Sequence, residues 1–191
     1  TIGFGKYQGS NTNLAFGIYA LNNNISGLYN TAIGSNALNK LTIGLSNTAI
    51  GEQSLYNLTN GAGNIAIGRQ SLNATIAGVE NIGIGDFALT SMGTAYGNVA
   101  IGKNALYNLN TGNFNVAIGN SALVATKGGN NTGIGYSAGS NLTTGTNNTI
   151  IGYLTGLGIT TGGKNTIIGA SISGLATSLS NTIILADGDG V

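Results

Sequence analysis

Hydrophobic and polar residues alternate over short stretches that return at a nearly constant spacing along the chain. Each stretch reads Asn-Thr-Ala-Ile-Gly or a close variant, and alternate residues of a strand face opposite sides, so each stretch predicts a short β-strand. A repeat this regular predicts one unit, here called a rung, stacked on itself as a rod. The interval is the same throughout, except that it is shorter by one before the eighth and eleventh copies. The phrases begin at Asn13, Asn30, Asn47, Asn64, Asn81, Asn98, Asn115, Asn131, Asn148, Asn165 and Asn181.

Each position within the phrase has its own character. The second position is β-branched in every copy except Leu14, and the fourth is isoleucine in every copy except Phe16. The third is Ala or Gly until isoleucine replaces it in the last three copies, at 150, 167 and 183. Because β-branched residues suit a pleated surface stacked on its own image, we expect the fourth position to form the core ladder of the rod. Its members are Ile33, Ile50, Ile67, Ile84, Ile101, Ile118, Ile134, Ile151, Ile168 and Ile184.

The segment after the phrase predicts how the chain returns. The closing glycine suits a bend with positive φ or a close crossing of backbones. A small residue and leucine follow, as in Ala37-Leu38 and Ser54-Leu55, and predict a second short strand whose leucine returns to the core. Stacking predicts a ladder of the leading asparagines and an exposed column after the glycine, in which Glu52, Arg69, Asp86 and Lys103 alternate in sign.

These patterns predict an all-β fold, a parallel β-roll or β-solenoid of about eleven rungs with a 17-residue repeat. Residues 1–12 are expected to be a lead-in or partial repeat, residues 13–180 the repeat shaft, and residues 181–191 the last rung and an exit towards a following segment. One rung is too thin to bury a core alone. We therefore expect a parallel homotrimer that buries the small Ala and Gly positions along its axis and removes exposed strand edges.

Composition narrows the possible chemistry. The 191 residues include 34 glycines, no proline, cysteine, tryptophan or histidine, and only 11 charged side chains with a net charge of +1. The lysines are scattered and form no basic cluster that would bind nucleic acid. No apolar run is long enough to insert into a membrane. Without histidine and cysteine, the commonest general base and thiol chemistry are missing, so we expect no enzyme and no cofactor.

Near matches to a known family occur in the middle of the chain. The segments 98–102 and 115–119, both Asn-Val-Ala-Ile-Gly, resemble the head repeats of YadA-type trimeric autotransporter adhesins, and the likeness covers roughly residues 13 to 185. That resemblance implies a left-handed parallel β-roll of three chains that serves as a surface adhesin. The longer phrase with its Thr-Gly return, and the segment 181–190, are similar to segments of bacteriophage and large-virus tail fibres.

Few residues are candidates for binding or catalysis. Asp187 and Asp189 alternate with glycine and are weak candidates for a calcium site, with a turn as the simpler reading. Glu80 and Asp86 are the one pair of acids that could approach across a loop, as a glycosidase would need. Aromatic faces beside polar side chains suit sugar rings, so four tyrosines are candidate ligand contacts, although stacking that stiffens the rod is the favoured interpretation of them: Tyr56, Tyr107, Tyr136 and Tyr153.

The leading hypothesis is a non-enzymatic attachment fibre, a shaft or head of a phage or viral tail fibre. It would lie outside the cell, form a homotrimer and bind a glycan or protein receptor on a host surface. A bacterial trimeric adhesin head is the alternative. A polysaccharide-degrading fibre, and an ice-binding solenoid that uses the threonine column at 31, 48, 132, 149, 166 and 182, are weaker alternatives.

Overall fold

A computed structural model describes residues 12–186, which contain eleven short strands and no helix. Strands β1 to β9 cover the second to fourth positions of their phrases, β10 extends one residue further and β11 begins at the third position, so the predicted all-β solenoid is confirmed. They are β1 (Leu14–Phe16), β2 (Thr31–Ile33), β3 (Thr48–Ile50), β4 (Ile65–Ile67), β5 (Ile82–Ile84), β6 (Val99–Ile101), β7 (Val116–Ile118), β8 (Thr132–Ile134), β9 (Thr149–Ile151), β10 (Thr166–Gly169) and β11 (Ile183–Ala186).

All eleven strands belong to one parallel sheet whose spatial order is the chain order. The pairing is in register, with Thr48 opposite Ile65 and Ile50 opposite Ile67. The loops stack as well, because the backbone N–H of Leu55 donates to the carbonyl of Ser71 in the next rung at 3.0 Å. Successive repeat units therefore lie over one another, and ten steps of about 4.8 Å give a rod about 48 Å long.

The sheet faces the opposite way from the one expected. The third position of the phrase, Ala49 for example, is fully buried, whereas Ile50 beside it is only half-buried. The fourth-position isoleucines do stack in a column from Ile33 to Ile168, but they lie on the outer face, and their prediction as the core was wrong. The physical reason is that the turn fills the inside of the coil, which leaves room for only a small side chain on the inner face of most strands. The outward residues are Ile33, Ile50, Ile67, Ile84, Ile101, Ile118, Ile134, Ile151 and Ile168.

The predicted second strand is a turn. Gln53 and Leu55 both have positive φ, 54° and 49°, and the same conformation returns at these positions in other rungs. Positive φ is costly for residues other than glycine, so the stacked hydrogen bonds of the loops must hold it. The prediction that the leucine returns to the core is confirmed, because these side chains are almost fully buried: Leu21, Leu38, Leu55, Leu72, Leu89, Leu106 and Leu123.

The large side chain of the core belongs to the turn in most of the rod and to the strand near its C-terminal end. A Cβ on Gly133 of β8 would lie 2.6 Å from Cγ of Leu123, so the turn leucine occupies that space. The next strand, β9, carries Ile150 instead, and the turn that precedes it carries Gly139, whose Cβ would lie 2.9 Å from Cδ1 of Ile150. A large side chain on one side thus coincides with a glycine on the other, as close packing requires.

The glycine that closes each phrase lies against the backbone of the next rung. Gly68 has a φ of 128°, and a Cβ on it would lie 2.6 Å from the carbonyl carbon and oxygen of Gly85. The expectation of positive φ or a close crossing is confirmed, since both conditions hold here. No other residue type fits this position without moving the neighbouring rung.

The leading asparagines form a buried ladder, as predicted. The Oδ1 of Asn98 accepts from the backbone N–H of Asn115 at 2.9 Å and from its side-chain amide at 3.1 Å. The Nδ2 of Asn98 donates to Oδ1 of Asn81 at 3.1 Å and to the carbonyl of Gly112 at 3.0 Å. Every side chain in the middle of the ladder is thus satisfied although it is shielded from water.

The register of the last copy differs from the one predicted. Thr182, not Asn181, takes the ladder position, because its N–H donates to Oδ1 of Asn165 at 3.1 Å. Ile184 therefore pairs with Ile167 in the inner column, and its assignment to the fourth-position ladder was wrong. The interval before this copy has the regular length, so only the step from Asn115 to Asn131 is short.

Candidate functional site

A strip along the outer face of the sheet runs the full length of the described rod. We call the outward second and fourth positions of the phrase, from β1 to β11, the outer strip. Between residues 14 and 185 it contains Thr, Ile, Val, Leu and Phe but no charged residue, and Ile67 and Ile168 are 36% and 40% exposed. At about 48 Å by about 10 Å, roughly 500 Å², it lies at the upper end of what a monomer normally exposes.

A second apolar column widens the outer strip in the first five rungs. Parallel bridges join its members into a ladder two residues before each leading asparagine, and Leu45 is 44% exposed. From Asn113 onwards the same column is polar or glycine. The apolar surface is thus widest in the N-terminal half, beside Leu28, Leu45, Ala62, Val79 and Tyr96.

The inner face does not need a partner chain. The alanines from Ala32 to Ala117 have no exposed surface, because the turns that fill the inside of the coil cover them. The expectation that a trimer would bury the Ala and Gly positions was therefore wrong. In β1 to β10 the strand side chains that remain partly exposed lie on the outer face, in the outer strip.

The threonine column is shorter than the sequence suggested. Thr132, Thr149 and Thr166 pair in register on the outer face, as do Thr31 and Thr48 in the second and third rungs. Thr182 does not belong to this column, since it occupies the asparagine ladder and Ile183 pairs with Thr166. The longest run of threonines therefore covers three consecutive rungs, which is a short surface for ordering ice.

One ion pair confirms that charged side chains of successive rungs stack as predicted. Arg69 and Asp86, one rung apart, form an ion pair at 3.6 Å between side chains that are about half exposed. The Arg69 guanidinium also lies 4.7 Å from the ring centroid of Phe87. At such exposure the ion pair contributes at most about 1 kcal/mol, so its importance is to neutralise Asp86 locally.

The four candidate tyrosines lie in different surroundings. Tyr136 and Tyr153 stack on each other with centroids 5.5 Å apart and an interplanar angle of 22°. Lys40 lies over the ring of Tyr56, 4.9 Å from its centroid. Tyr107 meets Phe87 edge to face at 6.5 Å and lines a surface pocket. No structural observation tests ligand contact by any of them, so that remains a prediction.

The pocket beside Tyr107 is a recess with aromatic walls. It has a volume of about 360 Å³ and is lined by Phe87, Lys103, Asn104, Tyr107 and Val124. These residues come from three successive rungs, since Asn104 lies one repeat after Phe87 and Val124 lies one repeat after Tyr107. The pocket opens in the turn that follows the closing glycine and lies off the two columns of the outer strip.

Sequence reasoning missed this pocket apart from Tyr107. The signal was present in the repeat, because Phe87 and Tyr107 occupy turn positions that stacking brings together. The predicted second strand would alternate these side chains between two faces, whereas the turn places them side by side.

The acidic candidates gain little support. Asp86 is paired with Arg69, and within residues 12–186 no hydrogen bond or ion pair joins it to Glu80. No group of three potential metal ligands occurs in that range. Asp187 and Asp189 lie outside the described residues. No helix in the described part of the chain is both long and apolar enough to span a bilayer.

Comparisons with known proteins assign no family to the chain. No family model, curated protein or solved structure matches it.

Proposed function

We propose that the chain is a segment of a structural attachment fibre exposed on a virion, as a shaft or head of a tail fibre. The observation that carries the proposal is the outer strip, a continuous uncharged surface on a rod whose rungs stack without interruption from β1 to β11. A rod of this kind spaces or displays a binding function at a distance, and its long flat side suits association with parallel copies of itself.

The assembly we propose is a parallel homotrimer joined through the outer strip. The apolar column from Leu28 to Tyr96 adds to the roughly 500 Å² of the outer strip, and in a trimer each chain would share this surface between two neighbours. The number three comes from the resemblance to trimeric fibres and adhesins. A bacterial surface adhesin with the same assembly is the second candidate, supported by the two Asn-Val-Ala-Ile-Gly phrases of β6 and β7.

Lysine on the outer strip should separate the copies. In the double variant Ile67→Lys with Ile118→Lys, each rod would bring buried ammonium groups into the interface, where an unpaired charge is strongly unfavourable. We expect the sedimentation-velocity mass to fall from three chains to one at micromolar concentration, with the circular dichroism spectrum unchanged.

The matched control places two lysines elsewhere on the rod. Asn108→Lys with Asn141→Lys adds the same charge at exposed positions of the turn and should leave the mass at three chains. A wild-type protein that stays monomeric, or a control that dissociates as readily as the strip variant, would contradict the proposed assembly.

A further inference from the structure

The pocket lined by Phe87, Lys103, Asn104, Tyr107 and Val124 is placed to bind a small ligand. We propose that it holds one carboxylate-bearing sugar unit of a surface polysaccharide. The inference rests on the proposed function, because a surface fibre would encounter such a polysaccharide. The binding chemistry is argued from the pocket alone.

The aromatic walls define an apolar contact of sugar size. Phe87 and Tyr107 meet at a centroid distance of 6.5 Å and an interplanar angle of 62°, so their rings form two sides of a corner. The C–H face of a pyranose ring is apolar and packs on such a surface, while the phenol hydroxyl of Tyr107 provides a polar edge. Val124 extends the apolar wall into the next rung.

The other candidate tyrosines are less available for the same contact. One face of Tyr136 is covered by Tyr153, and Lys40 lies over Tyr56. Tyr107 differs because, among residues 12–186, no cation lies over its ring and Phe87 meets it at 62° rather than face to face, although Arg69 does lie over the ring of Phe87. A sugar ring can therefore pack on Tyr107 without displacing a cation or a stacked ring.

Two polar side chains in the pocket are free to bind a ligand. Among residues 12–186 the single ion pair joins Arg69 to Asp86, so the ammonium of Lys103 has no carboxylate partner. The side chain of Asn104 makes no hydrogen bond within the described part of the chain, although it is half-buried. A half-buried amide that donates and accepts suits sugar hydroxyls, and a free ammonium suits a carboxylate.

Charge decides which sugars should bind. Asp86, the carboxylate one rung away from Lys103, is already neutralised by Arg69, and Arg69 itself lies on Phe87. The surroundings of the pocket are therefore positive overall. A charge-assisted hydrogen bond to Lys103 favours an acidic sugar over its neutral counterpart.

Saturation-transfer NMR with a matched pair of sugars tests the proposal. Methyl β-glucuronide and methyl β-glucoside differ only in the carboxylate, and we expect the glucuronide to bind about tenfold more tightly, in the millimolar range. Lys103→Gln should abolish this preference while it leaves weak binding of both sugars. Tyr107→Ala should remove binding of both.

The same positions of an earlier rung supply the controls. Tyr56 occupies the turn position of Tyr107 three rungs earlier, and Lys40 is the lysine over its ring, so Tyr56→Ala and Lys40→Gln should change neither sugar's binding. Equal binding of the two sugars, loss of signal with the control variants, or no binding of either sugar would overturn the proposal. These results are independent of the fibre proposal, because Lys103→Gln leaves the outer strip intact and its sedimentation mass can be measured separately.

Discussion

Replacing Gly68 with alanine is expected to lower the free energy of unfolding by about 3 kcal/mol. Two penalties combine in this variant. The backbone at φ 128° is outside the range that alanine adopts readily, and the new Cβ would lie 2.6 Å from the carbonyl of Gly85 and 3.0 Å from the backbone nitrogen of Asp86. Because these contacts are backbone atoms of the next rung, relief requires two rungs to separate. Urea denaturation followed by circular dichroism measures the loss.

Gly63→Ser is the matched control for this prediction. Gly63 also has positive φ, 67°, but a Cβ there would meet only Glu80 at an ordinary 3.5 Å. Serine already occupies the equivalent position one rung earlier, where Ser46 has a φ of 55°. The control should lose no more than about 1 kcal/mol. If Gly68→Ala were as mild as Gly63→Ser, the close stacking of the glycine column would be refuted.

Replacing Asn98 with alanine is the second large effect that we expect, again about 3 kcal/mol. The substitution deprives the backbone N–H and the side-chain amide of Asn115 of their shared acceptor, and it leaves the carbonyl of Gly112 without its donor. These groups are shielded from water, so each one left unsatisfied costs its desolvation free energy. Hydrogen exchange should show faster exchange of amides in the rungs on both sides of residue 98.

Replacing an exposed asparagine is the control that distinguishes loss of the ladder from loss of an asparagine as such. Asn141 is exposed and its side chain makes no hydrogen bond within residues 12–186, so Asn141→Ala should change the free energy of unfolding by less than about 0.5 kcal/mol. A ladder variant that behaved like this surface variant would show that the asparagine column contributes little to stability.

The repeat made the register predictable, but it could not decide which face of the strand points inwards. Period-two alternation separates Ala49 from Ile50 without saying which is buried, and hydrophobicity alone favours the isoleucine. The deciding factor is the space left by the turn, where Leu55 fills the inside of the coil. That turn depends on positive φ at Gln53 and Leu55, which side-chain type does not signal because neither residue favours it.

Predicting the candidate site was limited for the same reason. Tyr107 stood out as an aromatic residue in a polar turn, but its pocket is assembled from three rungs. Once the turn conformation is known, the constant repeat spacing places Phe87 and Val124 around it. The ladder of asparagines, in contrast, was predictable because identical residues at a fixed interval must meet when rungs stack.

Disulfide formation between adjacent strands tests the stacking most directly, since the chain contains no cysteine of its own. Thr48 and Ile65 are direct partners on the outer face, so their Cα atoms lie within the range that a disulfide can bridge. Thr48 and Ile67 face the same side but lie about 8 Å apart, out of reach. In dilute protein we expect the pair Thr48→Cys with Ile65→Cys to oxidise within the chain, whereas Thr48→Cys with Ile67→Cys stays reduced. Faster closure of the second pair would contradict the in-register solenoid.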